Sequence, residues 1–424
     1  MSTTKRISIE QLIPGMFIVE MDLPWYRTPF LFHKRLIHDS ETIALMKQHG
    51  VQHVTIDTVQ GLDIQEASRT PSGEPACPTE TPMDPVLPAH EMSHSSTAPR
   101  GSGEARQAES ASVYTEAQEA MERIFADLER GVPPTPAATK MVVAGVLSQV
   151  LEHRNELLLH STFLKIKQFD RSLGAHALDT AIISLIVGVE SGVDQALYEH
   201  LGMGALLHDI GYVRLPRNLV RKRDECSDSE RCLLEQHTQL GIAVLGEQSG
   251  FHQEVCRIVR EHHERGDGSG YPRQYTAPDI APLAQIVGIV DLYDKMVSRR
   301  GGRPAMIPQD AVRQLFLVGE RGQYPKPLVE AVIRSIGVYP VGSLVRLNTG
   351  EQAVVVGVNP EQRLKPQVKI TAGPQGESYL NPEQVDLALP PQNRVVRTVL
   401  RVLDPTQERV NIAMYLSDVT DRAA

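Results

Sequence analysis

Apolar and polar positions follow three different rhythms along this chain. Between residues 5 and 60, short apolar runs at 16–19 and 51–56 flank a helix-like stretch at 39–49 that Gly50 stops. From about residue 66 to 111 the chain is dense in Pro, Ser, Thr, Ala, Gly and Glu, with almost no large apolar side chain to bury. That composition predicts a flexible linker. At Ser112 the period becomes helical, with Ala117, Met121, Ile124, Phe125 and Leu128 on one face. Helix-like segments continue to Ile336, where Gly337 marks a stop. Within them Ser227 and Glu230 form a capping box predicted to open the helix that carries His237. After Tyr339 apolar residues recur every second position at 343–347, 353–358 and 367–371, separated by Asn, Gly and Pro turns. The fold expected is multidomain: an α+β N-terminal domain at 1–65, a linker at 66–111, a central all-α domain at 112–340 and a small C-terminal β domain at 341–424. No internal repeat is visible.

Composition narrows the class of molecule. A chain of 424 residues exceeds what one core usually serves, and 41% hydrophobic with 22% charged residues is an ordinary soluble balance. The apolar-rich stretch 181–189 is shorter than the roughly 20 residues of a membrane helix, and the N-terminus lacks a signal-peptide core. A cytoplasmic protein without a membrane span is expected. Cysteines 77, 226, 232 and 256 form no CxxC pair, so they read as reduced thiols. A net charge of -9 excludes a chain that coats duplex nucleic acid or an anionic membrane, and leaves room for a small anionic ligand held by local cations.

The candidate chemistry is concentrated in the helical part. His176, His208, His237, His262 and His263 fall there, joined by Asp209 and Asp291. Imidazole and carboxylate suit iron, manganese or zinc, and one carboxylate can bridge two ions. A single helical histidine is usually a hydrogen-bonded core residue. Seven such ligands on successive helical segments instead match the way bundles build metal sites from facing helices.

The run HHERGDGSGYP at 262–272 resembles the HHExxDGxGYP signature of HD-GYP domains. His208-Asp209 followed by Gly211, and HTQLG at 237–241 for the usual HPxxG, come in the family's order. Asp291 in DLYDKM resembles the metal-binding aspartate of its DxxDAM segment. The resemblance covers about residues 135–340 and implies a helical HD-type domain that binds two or three metal ions and hydrolyses cyclic di-GMP. It implies that His176, His208, Asp209 and Asp291 hold one ion, and that Asp209 bridges to a second held by His237, His262 and His263. Two divalent ions, iron or manganese, are the expected cofactors. Hydroxide generated between two cations would lie in line with a phosphodiester, making His208, Asp209 and the adjacent Tyr212 the catalytic candidates.

Substrate contacts are expected from the loop residues Asp267, Gly268, Gly270 and Tyr271, whose glycines permit close backbone approach. The resemblance also implicates this loop in contacts with GGDEF diguanylate cyclase domains. Arg300 and Arg303 fall where the family shows an RPYR-like stretch, and guanidinium forks suit phosphate oxygens. Two positions depart from the family. Tyr212 stands where lysine is usual, with Arg214 a candidate to compensate, and Ser172 stands where three-metal members carry glutamate. Ser172 lies one turn before His176 and is expected to face the site, while Asp170 and Asp179 fall at other offsets, so two metals and linear pGpG as product are predicted. Residues 5–60 resemble an uncharacterised N-terminal domain often attached to the family; Trp25, Phe30 and Phe32 there read as core or as a ligand patch. A catalytically weak nucleotide receptor and a phosphodiesterase acting on cyclic GMP-AMP stay open as alternatives, as does a homodimer.

Overall fold

The computed structural model describes residues 4–22, 35–37, 40–48, 50–58, 61–62, 101–167, 172–222, 225–246, 250–299, 304–390 and 396–416. They belong to two compact units, 1–97 and 98–424. In the first, β1 (Thr4–Ser8), β2 (Phe17–Met21), β3 (Arg35–Leu36) and β4 (His53–Asp57) form an antiparallel sheet in the order β1-β4-β2-β3. Helix α1 (Ser40–Gln48) supplies Ile43 and Met46 to a core shared with Ile7, Ile18, Val54 and Ile56. Trp25, Phe30 and Phe32 lie outside the described residues.

The second unit begins with α2 (Gly101–Glu129), inside the stretch read from sequence as linker. After Pro99 that stretch is free of proline and rich in Ala, Glu, Gln and Arg, which propagate a helix without an apolar stripe. Its early turns are fixed by polar contact instead: buried Ser110 donates to Gln149 on α3 (Pro136–Lys167) at 2.8 Å. Further along α2, Tyr114, Ala117, Met121, Phe125 and Leu128 are buried.

Helix α4 (Leu173–Glu190) is buried on nearly every side, against α2, α3, α5 (Tyr198–Leu207) and α10 (Pro282–Val297). By length and composition α4 could cross a membrane, but 83% of it is buried inside this unit. It is the core around which the other helices stand. Between α5 and α10 lie the turn Ile210–Arg214, α6 (Arg217–Arg221), α7 (Asp228–Glu235), α8 (His237–Leu245) and α9 (Gln253–Glu261). The capping box of Ser227 and Glu230 is present, yet it opens α7 alone. The chain breaks at Gln236, and His237 starts α8 instead of continuing the capped helix.

After α11 (Pro308–Glu320) and α12 (Lys326–Ile336), Gly337 stops the helices as expected. The strands β5 (Leu344–Leu347), β6 (Gln352–Gly357), β7 (Gln367–Ala372), β8 (Ser378–Asp386) and β9 (Val399–Leu403) then form an antiparallel sheet in the order β8-β7-β6-β5-β9. Strand β8 was illegible because Asn381-Pro382 reads as a turn. Helices and sheet share a core: Phe163 of α3 packs with Leu344, Val354, Val356 and Leu403, and with Leu416 of the short α13 (Ala413–Leu416). The Asn155 amide adds a clamp, donating to Val358 O at 3.2 Å and accepting from Val358 N at 3.3 Å.

Candidate metal centre

Helix ends deliver most of the seven proposed ligands. His208 is the C-cap of α5 and Asp209 follows it, His237 opens α8, and His262 and His263 follow α9. His176 and Asp291 project from α4 and α10. Close approach fixes this geometry. A Cβ on Gly211 would lie 1.9 Å from the His237 carbonyl oxygen, so only glycine lets the His-Asp turn dock on the start of α8. A Cβ on Gly270 would meet His263 O at 2.5 Å.

The seven side chains are all buried and form two groups whose ligand atoms lie within 4.8 Å of one another: His176, His208, Asp209 and Asp291, and Asp209, His237, His262 and His263. Asp209 belongs to both. Its Oδ2 faces His176 Nε2 and His208 Nε2 at 3.5 and 3.4 Å, and its Oδ1 faces His237 Nε2 and His262 Nε2 at 3.3 and 3.6 Å. Asp291 Oδ1 closes the first group, 3.0 Å from His176 Nε2 and 3.6 Å from His208 Nε2.

The rings are held as ligands. Backbone carbonyls accept from Nδ1 of His208 (Ala205 O, 2.7 Å), His237 (Leu234 O, 2.7 Å) and His262 (Val259 O, 3.1 Å), which leaves each Nε2 directed inward. His176 Nδ1 donates to Asp294 Oδ2 at 2.7 Å. Burial pushes the His262 imidazole down to about 4 despite Asp209 beside it, and burial likewise holds His263 well below its ordinary value. His208 goes the other way: burial opposes its charge, but Asp209 and Asp291 push it up to about 10. Burial would raise Asp209, yet His208 and Lys295 hold its carboxyl well below the usual range. His262, His263 and Asp209 are thus held in the forms that bind a cation, whereas His208 must give up a proton to an incoming ion.

His208 Nε2, both oxygens of Asp209 and His263 Nε2 are buried and make no hydrogen bond of good geometry. Leaving such groups unsatisfied costs about 1–3 kcal/mol each. Divalent cations between them would satisfy all four, so the residues fit the group that the sequence suggested.

Other expected site residues stand nearby in different roles. Tyr271 stacks on His263 with ring centroids 4.6 Å apart, and burial raises its phenol well above the usual range. Asp267 is exposed and spends its carboxylate on the loop, accepting from Ser269 N at 3.0 Å; Gly268 lies in the same turn. Tyr212 stacks on His237, 4.2 Å between centroids, and is buried with Leu219 and Leu234. Arg214 is exposed. Ser172 does not face the site: it is exposed, and its hydroxyl caps α4 by accepting from Ala175 N at 3.1 Å. Its position before the helix, at non-helical φ/ψ, turns the side chain back onto the first turn. Arg300, Arg303 and Asp170 lie outside the described residues.

Residues 142–324 match the family model described as HD domain, 4–139 match the domain of unknown function DUF3391, and 344–404 match the KOW domain associated with HD domain. The chain's central helical part, residues 142–324, is an HD domain. Cyclic di-GMP phosphodiesterase PA4108 of Pseudomonas aeruginosa is 27% identical to the chain over 388 residues, covering 90% of this chain and 89% of that protein. The cyclic di-GMP phosphodiesterase response regulator RpfG of Xanthomonas campestris is 28% identical, over 43% of this chain and 49% of that protein. The 3'3'-cGAMP-specific phosphodiesterase 2 of Vibrio cholerae is 23% identical, over 43% of this chain and 35% of its own length. The chain thus spans half or less of the last two. The N-terminal match runs past residue 65 into α2, beyond the boundary that the polar composition suggested.

Three residues outside the expected site set support it. Asp294 holds His176, and its Oδ1 is 2.6 Å from the buried Lys165 Nζ, which lies 3.7 Å from Asp179. Asp179 in turn accepts from Tyr114 at 2.9 Å and Ser161 at 2.6 Å. Glu264, buried behind the loop, accepts from the backbone of Arg273 and Tyr275 at 2.7 and 2.9 Å. Glu264 and Asp294 stand at fixed positions of the HHExxDGxGYP and DxxDAM motifs, but only the fold shows which partners they hold, and Lys165 belongs to no motif.

Proposed function

We propose that this HD-domain protein is a metal-dependent phosphodiesterase that opens cyclic di-GMP, chiefly to linear pGpG, with iron or manganese as its ions. The observation that carries this reading is the shared Asp209, whose two oxygens face two separate ligand groups. Mixed imidazole and carboxylate donors without thiolate suit those metals. Divalent cations bound there would supply Lewis acidity, activating water and neutralising charge on the phosphodiester. The protein's own part is orientation. His176 and His208 on one side and His237, His262 and His263 on the other hold their donors toward Asp209, and the packed helix ends exclude bulk water. Tyr271 and Tyr212 give flat walls beside the second group. Arg300 and Arg303 are proposed to meet phosphate oxygens, and the Asp267–Ser269 turn to meet GGDEF domains. The relatives' names support the substrate class.

The product follows from charge. Ser172 faces away and brings no carboxylate to the first group, so we assign two ions and too little positive charge to retain the doubly anionic linear product for a second cut.

A competing reading is a receptor that binds the nucleotide without cleaving it, favoured by Tyr212 in place of the family's lysine. The deciding experiment incubates the metal-loaded full chain with cyclic di-GMP and, separately, cyclic GMP-AMP, and resolves products by chromatography. Accumulating pGpG supports the proposal. Intact cyclic di-GMP at full metal occupancy sinks it, and GMP without a pGpG lag sinks the two-ion assignment.

A further inference from the structure

Asp291 shows its two carboxylate oxygens to different surroundings. Oδ1 faces the Nε2 atoms of His176 and His208. Oδ2 lies 2.6 Å from Nζ of Lys295, one turn further along α10. The carboxylate is buried, at 1% exposure, while the Lys295 side chain is 25% exposed. The ammonium therefore stands where the buried ligand cluster meets solvent.

A cation beside a metal ligand has a cost. It withdraws negative charge from Asp291 and so works against the metal ions the site is shaped to hold. What it adds is a fixed positive charge, already paired and positioned, on a partly exposed side of the ligand groups, where an anionic substrate can meet it. The sequence repeats the point. In DLYDKM, Lys295 occupies the position of alanine in DxxDAM, and Tyr212 occupies the position of the usual lysine in HDxGK. One ammonium is absent from one element lining the site and one is present on another.

We infer that Lys295 is a substrate-contacting catalytic residue whose ammonium donates to a non-bridging oxygen of the phosphodiester beside the ligand groups. The inference rests on the phosphodiesterase reading. Lys295 forms no covalent bond and transfers no proton; it stabilises charge that grows on the phosphate oxygens in the transition state. Binding the Asp291 oxygen that does not face the histidines, it serves this purpose without displacing an ion from the first group.

The test compares wild type with Lys295→Met and Lys295→Arg as full chains loaded with Mn2+. Methionine keeps the length and packing of the stem while removing the charge. Expected for Lys295→Met are unchanged metal content and melting temperature, a fall of roughly 100–1000-fold in kcat/KM for cyclic di-GMP, and weaker binding of inorganic phosphate by calorimetry. Lys295→Arg should restore most of the phosphate binding. A merely structural salt bridge would leave phosphate affinity untouched. Phosphate binding unchanged in Lys295→Met, or activity lost only in proportion to lost metal, overturns the inference. Because phosphate binding needs no turnover, a wild type that cleaves no cyclic dinucleotide would sink the functional reading while still judging Lys295.

Discussion

At Asp209 the two carboxylate oxygens face different ligand groups, so alanine there removes the one side chain common to both. Asp209→Ala is expected to lose both ions, read as metal per chain by mass spectrometry; retention of either at full occupancy would count against a shared ligand. Asp294→Ala should act on one group only. It strips the carboxylate from His176 Nδ1, and such supporting groups are worth about 10–100-fold in metal affinity. A Mn2+ titration should therefore show one step weakened and the other unmoved, and equal weakening of both would refute the selectivity. Tyr212→Lys exchanges a stacked, buried ring for a charge in contact with Leu219 and Leu234. Burying such a group without a partner costs several kcal/mol, so a lower melting temperature is expected, and a stable variant with faster turnover would reverse that view. The seven ligands could be read from sequence because metal binding demands particular donor atoms in local motifs. Lys165 could not, and Asp294, although part of DLYDKM, shows its partners only once the end of α3 brings Lys165 to it and α4 brings His176.

Among the elements, polar stretches were hardest to read. Residues 101–111 have linker composition yet form the start of α2, because helix propensity and a buried Ser110–Gln149 bond suffice without an apolar stripe. The break at Gln236 carries no glycine or proline and is set by the packing of His237 against Gly211. In the C-terminal sheet, a pair distant in sequence closes one edge. Arg397 Nε and Nη2 donate to Glu351 Oε2 and Oε1 at 2.8 and 2.9 Å, joining the turn before β6 to the segment before β9. These bonds from Arg397 outweigh burial and lower the Glu351 carboxyl below its ordinary value. A depressed carboxylate adds stability above its unfolded pKa, near 4.3, and loses it as pH falls through the lower folded value. Glu351→Gln should thus cost about 1–3 kcal/mol near neutrality and converge with wild type in acid. Denaturant melts at pH 7 and pH 3 check this; an equal cost at both would assign the loss to shape instead of charge.

For the molecule as a whole, the question is whether the C-terminal sheet folds as an attachment or as part of the unit that carries the metal centre. Sequence periodicity separates the two at about residue 340, since the helical period ends and the alternating one begins. Packing does not respect that boundary. Phe163, near the end of α3, is buried among Leu344, Val354, Val356 and Leu403, and Asn155 of the same helix bonds both polar groups of the Val358 peptide backbone. Two residues past Phe163 on α3, Lys165 holds Asp294, which holds His176. A disturbance of the sheet therefore has a short path to the ligand groups through one helix. Phe163→Ala should cost about 3–5 kcal/mol by cavity formation, and the cost should fall on helices and sheet alike. Amide hydrogen exchange is the measurement, comparing Val354 and Val355 in β6 with Ile182 and Leu185 in α4. Protection should drop by similar factors in both elements if they open together. Faster exchange confined to β6, with α4 unmoved, would show that the sheet unfolds alone and that the core shared at Phe163 does not couple it to the helices.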